Sequence, residues 1–240
     1  MRIGILQCGH PPASLIPRFG EYGTMLAALF APGHASTIFD VTRGELPAAP
    51  EAYDAYALTG SAAGVYDDLP WIAPLTGFVR HARGRAKLVG ICFGHQLMAE
   101  AFGGRVIKAP QGWCIGVHRY AVTARRPWMD EAAEVALPAS HQDQVVVAPT
   151  GATVTLSNAA TRFAGLDYGD AISFQFHPEF SAAFGVALIS ERRERYGALA
   201  DAAIASYAAP HDGPRVAGWL NRFLESEATA PPCPQPSNSA

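Results

Sequence analysis

The chain has 240 residues, of which 49% are hydrophobic and 16% charged, and carries a formal net charge of −3. That length and composition describe a globular protein with a substantial core rather than a disordered chain. The charge balance argues against a general affinity for nucleic acid or anionic membranes, and no run approaches the roughly 20 apolar residues of a membrane span.

Residues 1–7 read as a buried strand. Residues 19–30 place Tyr22, Met25, Leu26 and Leu29 at helical spacing. Residues 37–41 and 55–58 read as a second and a third strand. A helix is expected over 71–81, introduced by Asp67-Asp68-Leu69-Pro70, in which an aspartate caps and the proline starts the first turn. A fourth strand over 87–91 runs into a helix over 95–102, which Gly103-Gly104 ends. Alternation of strand and helix predicts an α/β fold, an open and mostly parallel sheet with helices on both faces.

The character changes after residue 104. Short strand candidates at 105–108, 116–122, 144–147, 153–157, 163–167 and 171–176 form an appended antiparallel β meander, of which only the last strand is expected to rejoin the main sheet. Helical stretches follow over 184–207 and 214–224. Within the first, Arg192-Arg193-Glu194-Arg195 reads most simply as a solvated helix face, with a partner surface as the alternative. Cys114 beside Trp113 reads as core. Residues 1–225 are expected to form one folded unit, and 226–240, rich in Pro, Ser and Ala, a disordered tail.

Four cysteines (Cys8, Cys92, Cys114, Cys233) show no C-x-x-C spacing, and eight histidines lack metal-ligand spacing. Reduced thiols, no metal, no cofactor and a cytoplasmic setting are the expectations. The opening Met1-Arg2-Ile3-Gly4-Ile5-Leu6 does not have the layout of a signal peptide.

The chemistry concentrates in Gly90-Ile91-Cys92-Phe93-Gly94-His95-Gln96. A nucleophile held on a sharp strand-to-helix turn needs small neighbours, and Gly90 and Gly94 flank Cys92 in that way. Free N–H groups at a helix N-terminus favour a thiolate there. The Phe93 N–H, next after the nucleophile, would face the oxygen of an attacked carbonyl. The loop Thr59-Gly60-Ser61 after the third strand would supply a second donor from Gly60.

Far downstream, His177-Pro178-Glu179 ends another apolar run. On extended backbone, residues i and i+2 project to one side, so Glu179 can hold one imidazole nitrogen while the other faces the thiol. Taken alone, that segment is more often an ordinary loop; its weight comes from the Cys92 turn. The order Cys92, His177, Glu179, with acid and base almost adjacent, disfavours α/β-hydrolases, in which the acid precedes the histidine. His95 sits one turn into the helix, where packing is the simpler role.

On these residues the chain resembles the class I glutamine amidotransferases, over about residues 1–225. It is most similar to stand-alone members like the amidotransferase domain of GMP synthase, a group that includes plant γ-glutamyl peptidases. Tyr66-Asp67-Asp68-Leu69-Pro70-Trp71 and Ser140-His141-Gln142-Asp143-Gln144-Val145 add to the likeness. The resemblance implies a flavodoxin-like fold and a glutamine or γ-glutamyl substrate attacked by Cys92, with Phe93 and Gly60 holding the oxyanion. Gln96 and the stretch His141, Gln142, Asp143 would hold the amino-acid end. Many relatives carry Gly-Gly-Pro where this chain has Thr-Gly-Ser, so the second donor rests on Gly60 alone. No G-x-x-x-x-G-K-[ST] motif is present, so any ammonia made would need a separate synthetase subunit as partner. Three functions remain open: glutamine hydrolysis, γ-glutamyl peptide hydrolysis, and a non-catalytic regulatory subunit on the same scaffold.

Overall fold

The computed structural model describes residues 1–226. Eleven strands and eight α-helices follow one another in these residues. The first half runs β1 (Arg2–Gln7), α1 (Ile16–Phe19), α2 (Tyr22–Phe30), β2 (Ala35–Asp40), β3 (Ala55–Leu58), α3 (Ile72–Ala82), β4 (Lys87–Ile91) and α4 (Phe93–Ala101). The second half runs β5 (Arg105–Lys108), β6 (Cys114–Val122), β7 (Glu134–His141), β8 (Asp143–Val147), β9 (Thr153–Ser157), β10 (Gly165–Asp167) and β11 (Ala171–Phe174). The chain then enters α5 (Ala182–Glu191), α6 (Arg193–Tyr196), α7 (Leu199–Ala205) and α8 (Gly213–Glu225). The expected tail lies, beyond Ser226, outside the described residues.

Nine strands form one sheet in the order β2-β1-β3-β4-β11-β10-β9-β6-β7. The pairings from β2 to β11 are parallel and the rest antiparallel. The α/β architecture is thus as the sequence implies, with one correction. Besides β11, the strands β10, β9, β6 and β7 continue the main sheet, and only β5 and β8 stand apart as an antiparallel pair.

Side chains alternate across the parallel strands, as the pleat requires. Ile3, Ile5, Val89, Ile91 and Phe174 pack under α2 and α8 on one face; Leu6, Leu58 and Leu88 pack under α3 and α4 on the other. Helix α8 buries Val216, Trp219, Leu220, Phe223 and Leu224, one stripe at helical spacing. Its C-terminal end is clamped by Lys87 at the start of β4, whose ammonium donates to the carbonyls of Phe223 (2.6 Å), Leu224 (2.9 Å) and Ser226. Among the described residues no helix is long and apolar enough to cross a membrane.

Three local expectations need correction. Strand β7 is not legible because Pro138 sits inside it; as the last strand of the sheet, β7 turns proline's missing donor away from β6, where no ladder bond is lost. The stretch expected as one helix over 184–207 is broken at Arg192 and at Gly197, whose φ is +55°. Neither Asp67 nor Asp68 caps α3, which starts from Trp71; Asp67 instead closes the preceding loop by accepting the Gly64 N–H at 2.8 Å.

Helix α4 also begins earlier than expected, at Phe93, because Gly94 lies against β3 rather than breaking the helix. A Cβ at Gly94 would fall 2.6 Å from Leu58 Cβ and 2.8 Å from the Leu58 carbonyl oxygen. Gly94→Ala is therefore expected to cost about 1–3 kcal/mol, read from urea denaturation; a loss under about 0.5 kcal/mol would show that helix and strand can part at no cost.

Candidate active site

Strands β3, β4 and β11 are parallel neighbours in near-flush register, with Leu58 opposite Gly90 and Gly90 opposite Ser173. The segments leaving their carboxyl ends therefore meet at one edge, where open α/β sheets build their sites. Thr59-Gly60 leaves β3, Cys92 leaves β4, and the segment reaching His177 leaves β11.

Cys92 is the one non-glycine residue with positive φ among those described, at φ +54° and ψ −101°. Its N–H donates to the Phe174 carbonyl at 2.8 Å, binding the turn to β11. The Gly94 N–H donates to the Thr59 carbonyl at 3.2 Å, binding it to β3. A Cβ at Gly90 would lie 2.6 Å from Met98 Sδ and 2.7 Å from the Gly94 backbone, so the turn closes only over glycine. The N–H groups of Phe93 and Gly60 donate to no protein acceptor among the described residues. Gly60 has a further constraint: a Cβ there would fall 2.9 Å from His177 Cε1.

His177 Nδ1–H donates to Glu179 Oε1 at 2.7 Å, with both side chains almost fully buried. The ring stacks on Phe180, centroids 3.9 Å apart and planes 6° apart, and its backbone N–H donates to the Pro138 carbonyl at 2.8 Å. The missed strand β7 thus helps hold this histidine. Burial opposes charge on the ring, but the Glu179 carboxylate and the nearby Cys92 sulfur outweigh it and raise its pKa to about 10. A cationic imidazole between a carboxylate and a sulfur can hold a thiolate and return its proton to a leaving group.

The other histidines nearby take the opposite form. His141 is pushed down to about 3, first by burial and then by the charge on His177. His95 is likewise pushed down to about 3 by burial, its Nδ1 paired with Ser173 Oγ at 2.8 Å. His95 is packed away, as the simpler reading held.

A cavity of about 310 Å³ opens beside Cys92. Gln96, His141, Gln142 and Asp143 all line it. Gln96 Nε2 donates to the Asp143 carbonyl at 2.9 Å and to Gln175 Oε1 at 3.2 Å, and no protein donor reaches its Oε1. Asp143 Oδ2 accepts the Tyr66 hydroxyl at 2.9 Å. The sequence reading missed several lining residues: Tyr66, Lys108, Trp113, Arg192 and Arg195. Cys114 is buried as expected while Trp113 beside it is half-buried, and the run from Arg192 to Arg195 is not only a solvated face. The available signal was spacing: residues three apart share a helical face, and Arg193 turns outward to Asp201 at 2.7 Å.

The chain is similar to several known proteins. The family model described as glutamine amidotransferase class-I matches residues 36–189. A glutamine amidotransferase-like protein of Schizosaccharomyces pombe is 31% identical over 197 residues, covering 75% of this chain and 79% of its own. Gamma-glutamyl peptidase 4 of Arabidopsis thaliana is 29% identical over 174 residues, covering 68% of this chain and 69% of its own. The crystal structure of a glutamine amidotransferase from Thermotoga maritima superposes with a TM-score of 0.78 at 19% identity, covering 94% of this chain and 99% of its own.

The charge on His177 can be read directly. By NMR, the imidazole is expected to stay protonated well above pH 7. Glu179→Gln removes the anion that stabilises the charged ring, so the proton should leave at a pH lower by about one unit or more. An unmoved titration would show that the carboxylate does not set it.

Proposed function

The chain belongs to the class I glutamine amidotransferase family, and we propose that it hydrolyses a γ-glutamyl amide through a thioester on Cys92. The observation that carries this reading is the His177 ring, held by Glu179 at 2.7 Å and sharing one opening with Cys92 and Gly60 at the edge where β3, β4 and β11 end. In the first step the sulfur attacks the γ-carbonyl carbon, forming a C–S bond while the carbonyl electron pair moves to oxygen. The unused N–H groups of Phe93 and Gly60 receive that oxyanion. Two such donors suit a charge that exists only in transit, and losing one typically raises the barrier by about 3–4 kcal/mol.

Collapse of the intermediate breaks the C–N bond, and the leaving nitrogen takes the proton carried by His177. The neutral imidazole then takes a proton from water as that water attacks the thioester, breaking the C–S bond, releasing glutamate and restoring the charged ring beside the sulfur. Glu179 fixes the ring orientation and stabilises its charged form in both halves of the cycle. Gln96, His141, Gln142 and Asp143 line the space for the glutamyl end. Gln96 Oε1 and the Asp143 carboxylate are acceptors suited to an α-ammonium group.

Two leaving groups fit this chemistry. Ammonia from glutamine would pass to a separate synthetase subunit. An amine from a γ-glutamyl peptide needs no partner, and the similarity to a gamma-glutamyl peptidase favours that second reading. Cys8, Cys92 and Cys114 are all free thiols, which suits a cytoplasmic setting.

Incubation with glutamine and γ-glutamyl dipeptides, followed by assays of ammonia and free amine, tests the reading. Turnover should fall by about 10⁴-fold or more in Cys92→Ala, with the circular dichroism spectrum unchanged. Retained turnover in that variant, or none in the wild type with any γ-glutamyl compound, would overturn it.

A further inference from the structure

The cavity is electrically lopsided. Lys108, Arg192 and Arg195 line it, and none of the three forms an ion pair among the described residues. Arg193, between two of them, is neutralised by Asp201. Against these three cations the cavity is lined by two carboxylates, Asp67 and Asp143. With His141 neutral, the space beside the nucleophile carries a net positive charge.

The two walls also differ in position. A narrow opening over the reacting atoms is lined by Cys92, His177, Gly60, Ser140 and Arg192, among others, but not by Gln96 or Asp143. Arg192 lines both this opening and the large cavity. Because His177 delivers the proton to the departing nitrogen, the group on that nitrogen leaves along the side that His177 shares with Arg192. Arg195 lines the large cavity together with Arg192, its guanidinium 4.6 Å from the centroid of the Trp113 ring. A guanidinium oriented in this way presents donors that match a carboxylate. A cavity of about 310 Å³ lies in the range that holds ligands larger than one amino acid.

We infer that Arg192, Arg195 and Trp113 form a leaving-group subsite for a carboxylate, so that the preferred substrate is a γ-glutamyl amino acid or peptide rather than glutamine. This rests on the γ-glutamyl amide reading above. The released amine is then itself an amino acid or peptide, its carboxylate held by the arginines until the nitrogen has taken the proton from His177. Trp113 offers an apolar face to the side chain next to that carboxylate.

The test compares γ-glutamylglycine with γ-glutamylethylamide, which replaces the carboxylate by a methyl group at nearly constant length. Calorimetric binding to Cys92→Ala isolates recognition from chemistry. The carboxylate-bearing ligand is expected to bind about tenfold more tightly, the size of one charge-assisted contact. Adding Arg192→Gln or Arg195→Gln should bring that ratio toward one, and Arg195→Lys should keep part of it. Arg195 is exposed, so its replacement does not threaten the core. Equal affinities for the two ligands, a ratio that survives both glutamine variants, or no binding of either would overturn the inference. The hydrolase reading fails on a different result, absence of turnover by the wild type, so the two failures are distinguishable.

Discussion

The backbone at Cys92 passes through a region that costs a residue with a side chain about 1–3 kcal/mol, and the surrounding sheet holds it there. Hydrogen bonds from this turn reach β11 on one side and β3 on the other, through Phe174 and Thr59. Gly90 and Gly94 supply the space that permits both bonds at once. The strain is confined to one residue because its two neighbouring strands end at the same level. Removing that shared level would separate the sulfur from the Gly60 loop and from the ring of His177 together. The reactive constellation is therefore a property of strand register before it is a property of side chains.

Electrostatics then sorts three histidines of one intrinsic basicity into different forms. His177 is charged because a carboxylate and a sulfur flank it, although burial alone would discharge it. His95 and His141 have no such anion and remain neutral, His141 all the more because His177 is charged. A buried cation next to neutral imidazoles keeps the proton at one address. The arrangement also separates duties, since the charged ring faces the thiol while the neutral one lies along the cavity.

The parallel half of the sheet, the Cys92 turn and the His177–Glu179 segment were legible because each is a local pattern. Alternating strands and helices, glycines two residues either side of a cysteine, and a histidine two residues before a glutamate all lie within a few positions. Strand β7 was not legible because Pro138 contradicts a central strand, and only its edge position, a property of the whole sheet, resolves the conflict. The cavity wall was missed for a related reason. Lys108, Trp113 and the arginines come from separate elements, and the three-residue spacing of Arg192 and Arg195 puts them on one face without saying whether that face meets a cavity or water. The family resemblance pointed to Gln96, His141, Gln142 and Asp143, which line the cavity, but could not speak for the rest of its wall.

Lys87 and Cys92 sit at opposite ends of β4, about 16 Å apart along the strand. The lysine grips the end of α8, so the chain leaves Ser226 on the side of the sheet away from the thiol and its cavity. Anything joined directly to Ser226, whether an affinity tag, a fluorophore or a surface tether, starts at the end of the sheet opposite the thiol. A chain ended at Ser226 and tethered there would present its cavity mouth to the solution rather than to the support.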